Sequence, residues 1–224
     1  MSCLLLTLLL TLTAHSIEKA PEPVVRGKPL SYWLELLNSP VADNRIQATF
    51  AVGSVGDAPA IERLIAITED ADYDVRYSAA VALGRLGTAA APAVPALIRM
   101  FRDTANDRPL ICPGCGADGT ALVQIGKPAV PDLLVAAGDP DWRVRVQAVG
   151  CLARFPAEAE RVVPSLAASV NDPHLAVRLV AIQGLGKLGP KAKSALSVVQ
   201  AAAADADTGV RAEARIALRK ISGE

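Results

Sequence analysis

The hydrophobic and polar positions of this chain follow one register that returns six times along the sequence. In five registers an arginine is followed three residues later by alanine, and in all six, apolar residues stand seven and ten residues after the arginine position. These offsets fall on one stripe of an α-helix, so each register predicts an amphipathic helix, called helix B below. The arginine positions are occupied by Arg45, Arg76, Cys115, Arg145, Arg178 and Arg211.

A second apolar segment precedes these helices and predicts a helix A. Three such segments open on Pro95, Pro131 or Pro164, and proline fits the first helical turn because its missing N–H has no partner there. In most repeats an aspartate stands six residues before the arginine, where it is expected to cap helix B. A period of about 30 residues with two helices predicts an all-α, right-handed α-solenoid of about six helical hairpins, without β-sheet.

Three segments show the register most clearly: DADYDVRYSAAVALGRLG, DPDWRVRVQAVGCLARF and DPHLAVRLVAIQGLGKLG. They resemble HEAT repeats, and they are most similar to the short HEAT-like repeats of phycobilisome lyases. The resemblance covers residues 28 to 222. It implies a structural ladder of ion pairs between turn aspartates and helix-B arginines of neighbouring repeats. The residues that match this ladder are Asp70, Arg76, Asp139, Arg145, Asp172, Arg178, Asp205 and Arg211.

The amino-terminal segment MSCLLLTLLLTLTAHS differs from the repeats. Its apolar stretch is shorter than the roughly 20 residues that span a bilayer, and it ends in a small-x-small cleavage pattern. We therefore expect a signal peptide at residues 1–16, a linker at 17–27 and a repeat solenoid at 28–224. Export to the periplasm or secretion follows from this reading, whereas an uncleaved leader would indicate a cytoplasmic protein.

The charge balance argues against one class of partner. The chain has 23 basic and 23 acidic residues and a formal net charge of zero, whereas nucleic-acid binding needs clustered Lys and Arg. We expect no nucleic-acid partner, no membrane span in the mature chain and a monomer. The apolar content is 51% with 4% aromatic residues, which suits helices that stack closely through small side chains.

The third repeat departs from the register. Its arginine position lies 39 residues after the preceding one, against 30 to 33 residues elsewhere, so the turn between its helices is enlarged. Helix B of this repeat must begin near Ala117 or Asp118 and should be the shortest of the six. The enlarged turn contains Cys112 and Cys115, for which a small disulfide is the favoured state in an exported protein. Unpaired thiols, half of a zinc site and a redox dithiol at a helix N-terminus are the alternatives.

Aromatic residues flank the arginine positions. Tyr73 and Trp142 stand three residues before an arginine, and Tyr77 and Val146 stand one residue after one. Equivalent positions of successive repeats lie side by side, so these four residues are expected to line one edge, which is a candidate protein-binding edge. The alternative is that the rings cover the helices beneath them.

These observations favour a non-enzymatic scaffold that presents its repeat surface to an unidentified protein or peptide. His174 is the one histidine outside the leader, which leaves no Ser-His-Asp set, and we predict no catalytic, metal-binding or cofactor-binding residues and no cofactor. Cys151 falls in a column of small residues and is expected in the core. The alternative function is a lyase-type, thiol-redox or zinc-dependent activity centred on the Cys112/Cys115 loop.

Overall fold

The computed structural model describes residues 21–103 and 116–224, which form six pairs of α-helices and one short β-ribbon. Odd-numbered helices are the helices A and even-numbered helices are the helices B. In chain order they are α1 (Leu30–Leu36), α2 (Ala42–Gly53), α3 (Ala58–Ile67), α4 (Tyr73–Arg85), α5 (Val94–Arg99), α6 (Ala117–Ile125), α7 (Val130–Ala136), α8 (Trp142–Leu152), α9 (Ala159–Ser169), α10 (Leu175–Leu188), α11 (Leu196–Ala202) and α12 (Thr208–Ser222). The predicted all-α solenoid of about six hairpins is confirmed.

The helices stack in the order of the chain. Each helix B contacts the helix B of the next repeat, and α5, α7 and α9 contact one another in the same order on the other layer. Short 3-10 segments lead into the helices A of the last four repeats, at Gly87–Ala93, Lys127–Ala129, Pro156–Glu158 and Gly189–Ala195, and another, Met100–Arg102, follows α5. The chain therefore forms two layers of helices, with the apolar core between them.

The core consists of the columns that the register predicts. The apolar residue seven positions after the arginine position is fully buried in the first five repeats. The alanine three positions after the arginine is fully buried in every repeat that has one. Small residues also set the helix spacing. A Cβ added to Gly84 would lie 2.9 Å from the Cα of Ala121 in the next helix B, so α4 and α6 approach each other more closely than a larger residue would allow.

Glycines end most of the helices B. The residue eleven positions after the arginine has a positive φ in four repeats, and it is glycine in each of them. A positive φ is costly for residues that carry a Cβ, so glycine is favoured where the chain turns into the next repeat. These glycines are Gly56, Gly87, Gly126 and Gly189.

The structure differs from the sequence prediction in two details of the helix ends. Pro95 and Pro131 lie in the first turn of their helices, as predicted. Pro164 instead lies in the interior of α9, because the preceding 3-10 turn leads directly into this helix and it already begins at Ala159. The helix-B caps are not the ladder aspartates. Asp72 accepts the N–H groups of the first turn of α4, whereas Asp70 accepts the N–H of Asp72 and so closes the preceding turn.

Helix B of the third repeat is the shortest among the described helices B. It spans nine residues and begins at Ala117, as the sequence predicts. The enlarged turn before it occupies residues 104–115, which lie outside the described residues.

A β-ribbon precedes α1 and spans the boundary between the predicted linker, residues 17–27, and the predicted repeats. The strands β1 (Val24–Val25) and β2 (Lys28–Pro29) pair in antiparallel fashion. Arg26 and Gly27 between them both have positive φ, the geometry of a two-residue hairpin turn. The indole Nε1 of Trp33 donates to the carbonyl of Val25 at 2.9 Å. The expectation of a chain without β-structure is therefore wrong at this point, because the ribbon folds onto the first helix.

Candidate partner-binding surface

Arginines of helix B join each repeat to the next one. Arg145 donates from Nε and Nη2 to Asp172 of the following repeat at 2.7 and 2.9 Å, and Arg45 contacts Asp70 in the same bidentate way at 2.8 Å. Nη1 of each arginine also donates to backbone carbonyl groups of its own turn. The remaining ion pairs of this kind are Arg76–Asp103 and Arg178–Asp205.

The ladder carboxylates are held from both sides. Asp172 accepts the backbone N–H of His174 in its own turn at 2.8 Å and the guanidinium of Arg145 from the preceding repeat. Burial alone would raise the pKa of Asp172, but these hydrogen bonds outweigh it and lower the pKa. The ladder charges are therefore satisfied inside the solenoid. They fix the orientation of neighbouring repeats, and they are poorly placed to contact a ligand.

The ladder has a different donor at the third repeat. The residue that would pair with Asp139 is Cys115, which lies outside the described residues. Arg102, which follows helix A of that repeat, forms the ion pair with Asp139 instead. Its side chain is half exposed, so this link should contribute less than the others. At the other end of the array, Arg211 donates to two carbonyl groups of its own turn.

Three of the four residues predicted to line one edge, the three aromatic ones, are at least partly accessible. Tyr77 is 45% exposed, and its ring centroid lies 6.2 Å from that of Tyr73. Trp142 is partly buried. The assignment of Val146 to this edge is wrong, because the valine is fully buried within the apolar core. Helix α8 packs against both neighbouring helices B and against Met100–Arg102, and this packing takes the valine inside.

A ring stack joins the fourth and fifth repeats on this edge. The ring of His174 lies nearly parallel to that of Trp142, with centroids 3.8 Å apart and an interplanar angle of 10°. The guanidinium carbon of Arg143 lies 5.2 Å from the indole centroid. The sequence reasoning did not connect His174 with Trp142. The sequence contains one indication of this contact, because His174 stands two residues after the ladder aspartate Asp172, in the turn that adjoins the preceding repeat.

A longer surface follows the outer side of the helices B. We call the arginine position of each repeat, which Cys115 occupies in the third repeat, the ladder position. Positions one, five and nine residues after it lie on one helical stripe, and most side chains there are exposed or half-exposed. We call this surface the helix-B face. It comprises Ile46 and Phe50 in α2, Ser54 after α2, Tyr77, Val81 and Arg85 in α4, Thr120 and Gln124 in α6, Arg154 after α8, Leu179, Gln183 and Lys187 in α10, and Ala212, Ile216 and Lys220 in α12.

One carboxylate is buried in the first turn of α6. Asp118 stands where the other repeats have alanine, and it is 3% exposed. Its Oδ1 accepts the N–H of Gly119 at 2.8 Å, while Oδ2 has no hydrogen-bond partner among the described residues. Burial raises the pKa of Asp118, and the negative charge of Asp103 raises it further.

The three cysteines of the predicted repeat region fall into two groups. Cys151 is fully buried, as the sequence predicts, and its thiol lies 3.7 Å from the carbonyl oxygen of Gly119. Burial raises the pKa of this thiol, which disfavours the reactive thiolate. Cys112 and Cys115 lie outside the described residues, so their disulfide stays a prediction.

The described parts of the chain contain neither a cluster of metal-ligating residues nor a helix suited to a bilayer. Within residues 21–103 and 116–224, no group of three or more His, Cys, Asp or Glu residues is arranged to hold a metal ion. None of the helices in these ranges combines the length and the hydrophobicity that a bilayer span requires.

Comparison with known proteins identifies the repeat. The sequence profile described as HEAT repeats matches residues 30–109, and the profile of a HEAT repeat matches residues 129–155. No curated protein matches the chain.

Solved structures share the arrangement of the helices. A chain from a structure of Kap95p with RanGDP superposes with a TM-score of 0.58 at 11% identity, over 87% of this chain and 30% of that one. A chain from the CpcE–CpcF complex of phycocyanin lyase from Nostoc superposes with a TM-score of 0.51 at 23% identity, over 72% of this chain and 99% of that one. At these identities the similarity shows a common fold.

Proposed function

Because the chain is a HEAT-repeat protein, we propose that it is a non-enzymatic scaffold that binds a protein or peptide along its helix-B face. The observation that supports this proposal is the composition of the face. Half-exposed apolar and aromatic side chains such as Phe50, Tyr77 and Leu179 alternate with polar and basic side chains over successive repeats. Such mixed surfaces with aromatic anchors are typical of protein-binding sites.

The ladder supports this proposal through rigidity. Ion pairs link successive repeats, and four of the carboxylates also accept a backbone N–H of their own turn, namely Asp70, Asp139, Asp172 and Asp205. A surface that is fixed before binding loses less conformational freedom when a partner binds. A protein of the same fold, Kap95p, forms a complex with RanGDP, which is consistent with a binding role for stacked helix pairs.

Affinity purification with matched variants tests the proposal. Tyr77→Ser and Leu179→Ser change the helix-B face, and both side chains are accessible in the structure. Val135→Ser is the control, because Val135 is 77% exposed but lies on the helix-A layer, in α7. We expect one discrete partner to be retained by wild type and by Val135→Ser, and to be lost from the two helix-B variants. Retention by the helix-B variants together with loss from Val135→Ser would contradict the proposal.

Export is part of the same proposal. The apolar stretch of residues 1–16 supports it. We expect the native protein to have lost about 16 residues by cleavage of the leader, which intact-mass measurement of the purified native protein would show. Recovery of the chain with Met1 in a cytoplasmic fraction would contradict export and would favour the lyase-type alternative.

A further inference from the structure

Basic side chains recur at one position of the helix-B face. Nine residues after the ladder position, four of the six repeats carry a lysine or arginine, and the other two carry serine and glutamine. All six side chains are exposed. We call the four cations the basic row. They are Arg85, Arg154, Lys187 and Lys220.

At two of these positions the basic side chain reaches the helix B of the preceding repeat. The guanidinium carbon of Arg85 lies 5.5 Å from the ring centroid of Phe50 in the preceding helix B. The Cδ of Lys220 lies 3.7 Å from the place that a Cβ on Gly186 would occupy in α10. In both cases the side chain lies across the helix of the preceding repeat. The basic row therefore follows the stack of helices, beside the apolar side chains of the same face.

Most acidic residues of the helices B lie in first turns, at the end away from the basic row, and the exception is Glu213 in the middle of α12. Asp43 and Asp74 lie in first turns, and caps such as Asp72 precede them. Within the helix-B face none of the residues is acidic. Among the described residues, Lys187 and Lys220 form no salt bridge. In a chain of zero net charge, the helix-B face therefore carries basic side chains and no acidic ones, which favours a negatively charged ligand.

We propose that the helix-B face binds an extended acidic segment of a partner protein, with carboxylates against the basic row and apolar side chains against the adjoining stripe. This inference rests on the proposed function. Packed helices lie about 8 to 10 Å apart, and an extended segment in the polyproline II conformation, with three residues per turn, returns every third side chain to the same side after about 9 Å. An acidic residue at every third position would therefore meet one repeat after another. Arg154, Lys187 and Lys220 provide three successive contacts of this kind.

A synthetic peptide tests the inference directly. The probe is a fluorescein-labelled peptide of about 15 residues with glutamate at every third position and apolar residues beside each glutamate. Fluorescence anisotropy should show saturable binding to the wild-type protein. The combined variant Arg154→Gln, Lys187→Gln and Lys220→Gln should bind the peptide about tenfold more weakly, since each exposed charge pair contributes modestly. High salt should weaken wild-type binding as well.

A second combined variant controls for the loss of charge. Arg63→Gln, Arg161→Gln and Lys193→Gln removes the same number of cations from exposed positions outside the helix-B face. This variant should bind the peptide within about twofold of wild type, since distant exposed charges are screened. Thermal melts of both combined variants establish that each is folded.

Several results would overturn the inference. They are equal loss of binding in the two variants, no binding of the peptide to wild type, or equally tight binding of a peptide with glutamine in place of glutamate. Tighter binding of single-stranded DNA than of the peptide, lost with the basic row, would identify a nucleic-acid site instead. If the peptide fails but Tyr77→Ser still abolishes capture of the partner, the proposed function stands and the acidic class of ligand is wrong.

Discussion

Replacement of Asp118 by alanine is expected to stabilise the protein at neutral pH. The five other repeats have a fully buried alanine at this position, so the packing of helix B accommodates a methyl group there. Asp118 instead places a carboxylate that is 3% exposed, and its Oδ2 has no partner among the described residues. A buried polar atom without a partner costs about 1 to 3 kcal/mol, and the substitution removes this cost.

Two smaller effects act in the opposite direction. Asp118 lies in the first turn of α6, where a negative charge gains about 0.3 to 1 kcal/mol from the helix dipole. The shorter side chain also leaves a small cavity. We therefore expect Asp118→Ala to raise the free energy of unfolding by about 1 to 2 kcal/mol at pH 7, as measured by urea denaturation.

The gain must depend on pH, and the raised pKa of Asp118 sets the sign. An aspartate in the unfolded chain has a pKa of about 3.9. Between this pH and the higher native pKa, the folded protein therefore binds a proton that the unfolded chain has released. Wild-type stability from this group is complete below about pH 4 and is lost as the pH rises through the native pKa. The advantage of Asp118→Ala should accordingly be larger at pH 7 than at pH 4.

Two further variants complete this experiment. Asp118→Asn keeps a polar group without a charge, so its stability relative to Asp118→Ala should not change with pH. Ala148→Asp introduces a carboxylate at the equivalent position of the fourth repeat, which is fully buried, and should lower the free energy of unfolding by several kcal/mol at pH 7. If Asp118→Ala destabilises the protein by the same amount at both pH values, the carboxylate is paired and ionised, and the reasoning is refuted.

Core packing predicts that Leu185→Ala lowers the free energy of unfolding by about 2 to 5 kcal/mol; a urea melt that shows less than about 1 kcal/mol would contradict the register. Arg145→Ala leaves Asp172 without its bidentate partner and should cost about 1 to 3 kcal/mol. The lowered pKa of Asp172 makes this contribution complete at neutral pH and lost as the pH falls below about 4, so a cost that persists unchanged in acid would argue against the ion pair. Serine at both Cys112 and Cys115 should shift Tm by a few degrees, since the ring is small, whereas stoichiometric zinc in the wild type would indicate a metal site.

The repeated part of the fold could be predicted because apolar residues that recur at fixed offsets along the sequence lie on the buried side of each helix. The column that contains Leu185 and the small column that contains Cys151 recur at fixed offsets, and the structure buries both. The pairing of turn aspartates with helix-B arginines is implied by the resemblance to HEAT repeats. The short α6 could be predicted because the enlarged turn displaces its start.

Features that depend on one local contact could not be read from the register. Val146 is buried and Tyr77 is exposed at equivalent positions, because the packing around α8 and α4 differs. Arg102 reaches Asp139 from the 3-10 segment that follows α5, outside the repeated pattern. The Arg26-Gly27 turn could have suggested a hairpin, but two prolines nearby favoured a linker. The basic row was visible at a constant offset, yet a charged helix side is usually solvated surface.

Site-specific photo-crosslinking in the native cell tests most directly whether the helix-B face binds the partner. Benzoylphenylalanine would replace Gln183, an exposed residue of the helix-B face in α10, and in a separate variant Val135, an exposed residue of α7 on the helix-A layer. We predict one adduct of discrete mass from position 183, reduced by the combined loss of the basic row, and no such adduct from position 135. A discrete adduct from position 135 with none from position 183 would contradict the proposed binding surface.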